Sequence, residues 1–143
     1  DIASCDRETA QAKIFQSRIL YISGGNTFYL LQELKKKQLL SLIKEQIRDG
    51  LIYVGESAGA IITAKDIDYN KLMDDKTVAT ELYDTAGLDE VDFYILPHYG
   101  EEPFADSSKK TFEMYKKQLE LLPLHNHQAI IVNDEQIDIL TIE

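Results

Sequence analysis

The stretch Tyr53-Val54-Gly55-Glu56-Ser57-Ala58-Gly59-Ala60-Ile61-Ile62 sets a serine among small residues, where a β-branched apolar run gives way to an apolar helical one. A serine at a strand-to-helix turn occupies the setting of a nucleophile elbow. Small neighbours permit a sharp, strained turn, the hydroxyl is exposed, and the amides that follow point toward it. The purely structural alternative makes Ser57 a helix N-cap. Upstream, Ser23-Gly24-Gly25-Asn26-Thr27 forms a second glycine-rich turn after another apolar run. Amides of Gly25 and Ala58 could then converge on one oxygen, as an oxyanion hole requires. That turn lacks both the glycine spacing of a dinucleotide site and the Lys-Ser/Thr pair of a phosphate loop.

A serine needs a base of near-neutral pKa, and imidazole is the natural one. Of the 3 histidines only His98, in Leu96-Pro97-His98-Tyr99-Gly100, ends a core strand. His125 and His127 make a His-x-His without a third ligand close in sequence; they read as surface loop, and no metal site is expected. The imidazole in turn needs an acid to hold its tautomer and stabilise its charged form. Asp66, Asp68, Asp74, Asp75, Glu81 and Asp84 all stand between the elbow and His98, and spacing alone does not choose among them. Glu56 abuts the serine, which directs its own side chain elsewhere.

Positioning these groups on one edge requires a parallel sheet. Arg18 to Ser23, Leu51 to Gly55 and Asp92 to Pro97 are short, nearly continuous in hydrophobicity, and rich in β-branched and aromatic residues, the pattern of buried parallel strands. Between the first two, Phe28, Leu30, Leu31, Leu34, Leu39, Leu42, Ile43 and Ile47 recur at helical spacing, predicting two helices broken near Gln38 and stopped at Gly50. Strand, helices, strand is a βαβ unit, so the expected fold is α/β, an open, mostly parallel sheet between two helical layers, with ligands at its carboxyl edge. Ser107 to Leu122 reads as a helix capped by Ser107 or Ser108. Ala129 to Val132 and Ile137 to Ile142 read as a terminal hairpin, Asp1 to Ala3 as the tail of a strand, and Asp6 to Gln16 as a weak helix.

Composition narrows the partners. The chain has 143 residues, a net charge of −10 and 44% hydrophobic residues, which fits one globular domain. No apolar run approaches the ~20 residues of a membrane helix, and the start lacks the layout of a signal peptide. The acidic excess opposes phosphate backbones, and the one basic cluster, Lys35-Lys36-Lys37, sits in a helical pattern among leucines. Neither nucleic acid nor membrane is an expected partner. Cys5 alone rules out an internal disulfide framework and fits a reducing cytoplasm. Residue 1 is Asp and the methionines are Met73 and Met114, so the chain is expected to be processed or partial.

SGGNTFYLLQEL, then YVGESAGAIIT, then LPHY, in this order and at these intervals, resembles peptidase family S51. This is the peptidase E (alpha-aspartyl dipeptidase) and cyanophycinase group within the class I glutamine amidotransferase-like fold. The resemblance spans about Ile2 to the terminal hairpin and implies a flavodoxin-like three-layer α/β/α domain covering 1–143. It also implies cytoplasmic serine exopeptidase chemistry on dipeptides or short peptides, without metal or cofactor, and admits a homodimer. By this resemblance Ser57 is the nucleophile, His98 the general base, and Gly25 with Ala58 the oxyanion donors. Asp74, in Leu72-Met73-Asp74-Asp75-Lys76, is the favoured acid, with Asp75 next. Asn26, Lys109 and Lys110 are the expected substrate-binding residues. The arginine by which peptidase E holds an acidic side chain has no counterpart after His98, where Ser107-Ser108-Lys109-Lys110 stands instead. Family members are longer at the N-terminus; in a strand order 2-1-3-4-5 the first strand, expected to be missing here, would lie in the sheet between the strand ending near Ala3 and the strand Arg18 to Ser23.

Two other readings accompany this one. An α/β-hydrolase esterase shares the order Ser57, Asp74, His98, but the span from Ser57 to His98 is too short for the additional strands of that fold. A catalytically silent fold that serves as a binding module needs no chemistry at all.

Overall fold

The structure, a computed structural model, describes residues 1–142. Helix α1 (Arg7–Gln16) starts at Asp6, whose carboxylate accepts from the Thr9 amide at 2.7 Å. Strand β1 (Ile19–Ile22) follows. Next come α2 (Thr27–Lys36) and α3 (Leu40–Arg48), separated at Gln38, which takes a left-handed φ of 53°. Gly50, at φ 98°, ends α3 and leads into β2 (Ile52–Gly55). The short helix α4 (Ala58–Ile61) opens directly after Ser57. Two 3-10 turns, Asp68–Leu72 and Lys76–Val78, carry the chain toward β3 (Tyr94–Leu96). Helix α5 (Ala105–Tyr115), β4 (Leu121–Pro123) and the hairpin of β5 (Gln128–Asn133) and β6 (Gln136–Thr141) complete it.

The fold is α/β, built on parallel ladders. β1 pairs with β2, Ile19 opposite Ile52 and Ile22 opposite Gly55, and β3 pairs with β4, Tyr94 opposite Leu121. Among the described residues the terminal hairpin pairs antiparallel, as does the isolated bridge between Asp66 and Ala86. α4 packs against β1, β2 and β3 and so brings both parallel ladders to one edge. Phe28, Leu31, Leu39, Ile43, Ile62 and Leu88 form the fully buried centre between the helices and the β1–β2 ladder. On the opposite face of that ladder Ile19, Tyr21, Ile52 and Val54 are exposed. Beside β1, whose ladder partner is β2, an apolar cleft of about 470 Å³ runs from Ile2 and Ala3 past Leu20 and Ile22 to Gly24-Gly25-Asn26.

Two elements depart from the sequence reading. Asp1 to Ala3 is not strand; Cys5 N donates to Asp1 O at 3.1 Å in a turn that leads into α1. The helix read over Ser107 to Leu122 starts earlier, at Ala105, and ends at Tyr115, and Leu121–Pro123 leaves it to become β4. Phe112, Tyr115, Leu119 and Leu122 keep helical spacing, but Leu119 packs on the core from the bend after α5 and Leu121 from β4, which periodicity alone does not distinguish.

Candidate active site

Ser57 sits at φ 49° and ψ −109°, a conformation a non-glycine residue adopts only when its surroundings impose it. What imposes it is steric. A Cβ on Gly55 would stand 2.5 Å from the Gly59 carbonyl oxygen, and one on Gly59 only 2.1 Å from that of Ile22. Only glycines therefore let α4 fold back this closely on β1 and β2. Tyr53 O–H donates to Gly59 O at 2.6 Å, and burial holds the phenol well above its ordinary pKa, so it remains a donor. Glu56 turns to the outward face, where its carboxylate meets the Tyr21 hydroxyl.

His98 also has a left-handed backbone, φ 57°, at the end of β3. Its Nε2 lies 3.0 Å from Ser57 Oγ, and its Nδ1 lies 2.6 Å from Asn126 Oδ1. With the amide oxygen as acceptor, Nδ1 carries the proton and Nε2 is free to accept from the serine. The ring stacks on Phe104 at a centroid distance of 5.2 Å. Behind it Gly100 N donates to Ser108 Oγ at 3.0 Å, and Tyr99 N to Leu124 O at 2.9 Å. Ser108, read as a helix cap, instead lies inside α5 and braces the His98 loop.

Gly24 lies against the serine, its would-be Cβ 3.3 Å from Ser57 Cβ. Gly25 takes φ 137°, with open space where a Cβ would stand. Among the described residues neither the Gly25 amide nor the Ala58 amide has an acceptor, which leaves both free to donate.

The expected acid is elsewhere. Asp74 Oδ2 accepts from Thr27 N at 2.9 Å, Thr27 Oγ1 at 2.5 Å and Asn70 Nδ2 at 3.0 Å, at the start of α2. Asp75 accepts from Thr77 N and Oγ1, which holds its carboxyl below the ordinary range. Neither is a partner of His98, because the chain after α4 folds under α2 instead of along β3. The place opposite Nδ1 belongs to Asn126, which sequence reasoning missed. The usable signal was Leu121-Leu122-Pro123: read as a strand parallel to β3, it delivers the next loop beside His98.

The expected substrate-binding residues divide. Asn26 spends its amide on the backbone, Oδ1 accepting from Tyr29 N at 2.9 Å and Nδ2 donating to Asp75 O at 2.9 Å, so it caps α2 and is not free for a ligand. Lys109 is exposed beside the His98 loop, its Cε 3.6 Å from a would-be Cβ on Gly100, and Lys110 is exposed next to it. Neither lysine has an ion-pair partner among the described residues. His125 and His127 flank Asn126 with stacked rings 5.6 Å apart, and His125 Nδ1 lies 3.5 Å from Glu101. Among the described residues no group of three or more His, Cys, Asp or Glu side chains is placed to hold a metal ion.

The chain is similar to several known proteins. The family model of peptidase family S51 matches residues 2–140. An uncharacterized peptidase of Pasteurella multocida is 44% identical over 135 residues, which is 94% of this chain and 65% of that protein. An uncharacterized peptidase of Listeria innocua is 42% identical over 137 residues, 96% of this chain and 66% of that protein. The crystal structure of a candidate peptidase E protein from Listeria monocytogenes superposes with a TM-score of 0.93 at 36% identity, over 100% of this chain and 69% of that one. The chain thus spans about two thirds of the length of the curated relatives it matches. With the family model matching almost end to end and two relatives 44% and 42% identical over nearly the whole chain, this protein belongs to peptidase family S51.

Proposed function

We propose that this chain carries the active site of a serine-type peptidase acting on dipeptides or short peptides. The observation that supports it most is the Ser57–His98–Asn126 chain of hydrogen bonds, built on two residues held at left-handed φ. Ser57 Oγ attacks the scissile carbonyl as His98 Nε2 takes its proton, and the imidazolium then returns that proton to the leaving amine. The amides of Gly25 and Ala58 receive the charge that builds on the carbonyl oxygen. Asn126 keeps the imidazole in the tautomer that accepts from serine. No helix among the described residues is long and apolar enough to cross a membrane.

Within this reading the preferred substrate has an acidic first residue, drawn to the unpaired ammonium groups of Lys109 and Lys110 beside the His98 loop. A lysine is a point charge and not a bidentate fork, so the preference is looser than an arginine would confer. The measurement is kcat/KM for Asp-Leu, Asn-Leu and Ala-Leu. Asp-Leu should lead by about tenfold, and Lys109→Ala should remove most of that lead without changing Ala-Leu. Equal values for the three substrates would remove the acidic subsite.

One observation favours a second reading, a silent S51-like binding module: the residue behind His98 is a neutral amide, which cannot compensate an imidazolium charge as a carboxylate does. Reactivity of Ser57 separates the two.

A further inference from the structure

We propose that Asp74 is a positioning residue for the oxyanion loop, acting through the first turn of α2 on the Gly25 amide; the inference rests on the serine-hydrolase reading of the site. The turn Ser23-Gly24-Gly25 makes no backbone hydrogen bond of its own among the described residues. Two successive glycines leave such a segment with wide conformational freedom, so its shape is decided by its anchors. Upstream the anchor is β1, where Ile22 O accepts from Glu56 N at 2.9 Å. Downstream it is Asn26 and Thr27, and both are tied to the segment 74–75.

Asp74 Oδ2 collects the Thr27 amide and hydroxyl, and Asn70 Nδ2 bridges the same oxygen to Thr27 Oγ1 at 3.1 Å. Thr27 and Asn70 are 0% and 1% exposed, so this is a dry clamp in which each donor is dear to lose. Next to it Asp75 O takes the second anchor, Asn26 Nδ2. A carboxylate at this point also complements the positive end of α2. Capping by itself does not need Asp74, because Asn26 already accepts from Tyr29 N. What Asp74 adds is a fixed position for residue 27, two residues after the amide that must meet the oxyanion. An oxyanion donor acts only in the transition state, and small displacements there are costly.

The test compares wild type with Asp74→Asn and Thr27→Val on one dipeptide that the wild type cleaves. A peptide aldehyde, whose hemiacetal oxygen occupies the oxyanion site, serves as inhibitor. Asp74→Asn should lower kcat by about 10- to 100-fold while KM moves less than about threefold, and should weaken the aldehyde in proportion. Thr27→Val, which keeps the amide bond and loses the hydroxyl one, should show a smaller fall of the same kind. The acid limb of the pH profile should not move, since His98 is held by Asn126. A folded Asp74→Asn with unchanged kcat overturns the proposal, as does a loss confined to KM or one that shifts the acid limb. Should Asp74→Asn not fold, Thr27→Val decides: an unchanged kcat and aldehyde affinity overturn it equally. If the wild type cleaves no peptide and Ser57 is inert toward serine reagents, the hydrolase reading itself falls. A reactive Ser57 with an indifferent Asp74 removes only the present inference.

Discussion

Replacing Ser57 by alanine is expected to lower peptide hydrolysis by about 10⁶-fold, because in the proposed mechanism its hydroxyl supplies the bond-forming atom. His98→Ala should cost a similar factor, since an unactivated serine hydroxyl is a poor nucleophile at neutral pH. The two losses should not add: Ser57→Ala/His98→Ala should be no slower than either single variant, as expected when residues act as a unit. Melting temperatures should stay near wild type, because the strained backbone at Ser57 is imposed by Gly55 and Gly59 and not by the hydroxyl. Steady-state kinetics on one dipeptide check all of this. Hydrolysis that survives Ser57→Ala at near wild-type rate would remove the serine from the chemistry.

Asn126→Asp is expected to raise kcat/KM by about tenfold, an unusual direction for a substitution in an active site. The native amide already selects the productive tautomer, so the large penalty attached to a wrong tautomer does not apply. What a carboxylate adds is attraction to the imidazolium that forms during the reaction. A hydrogen bond to a charged acceptor exceeds a neutral one by about 1–2 kcal/mol, and the exposure of Asn126 keeps the gain from being larger. The sign with pH is determined as well. An adjacent carboxylate favours protonated imidazole and catalysis needs the neutral form, so the acid limb of kcat/KM should move to higher pH in Asn126→Asp. Asn126→Ala should instead lower kcat, because the ring loses the bond that holds it. A profile of kcat/KM against pH for the three proteins checks this, and an Asn126→Asp variant with unchanged rate and unchanged acid limb would contradict the assignment.

The residues proposed to do the chemistry were legible because their surroundings in sequence are local. Ser57 and His98 each follow an apolar strand directly, and Gly55 and Gly59 announce the sharp turn between β2 and α4. The break at Gln38 and the stop at Gly50 were equally local, each marking a left-handed residue at the end of a helix. Asn126 was hidden because its role depends on a neighbour relation, the pairing of β3 with β4, that no window of sequence contains. The strand concerned is short and continues the spacing of α5, so it passed for the tail of that helix. Asp74 was misplaced for the complementary reason. The family resemblance pointed to a carboxylate of the right type after the elbow, but the 3-10 turn Asp68–Leu72 carries it beneath α2, where Thr27 and Asn70 claim it.

The most direct measurement is reaction of the protein with a fluorophosphonate, followed by peptide mapping. One adduct is expected, on Ser57 Oγ, forming in the wild type and in Asn126→Asp and lost when His98 is replaced by alanine. A wild-type protein that remains unmodified at Ser57, or that reacts there equally well without His98, would contradict it.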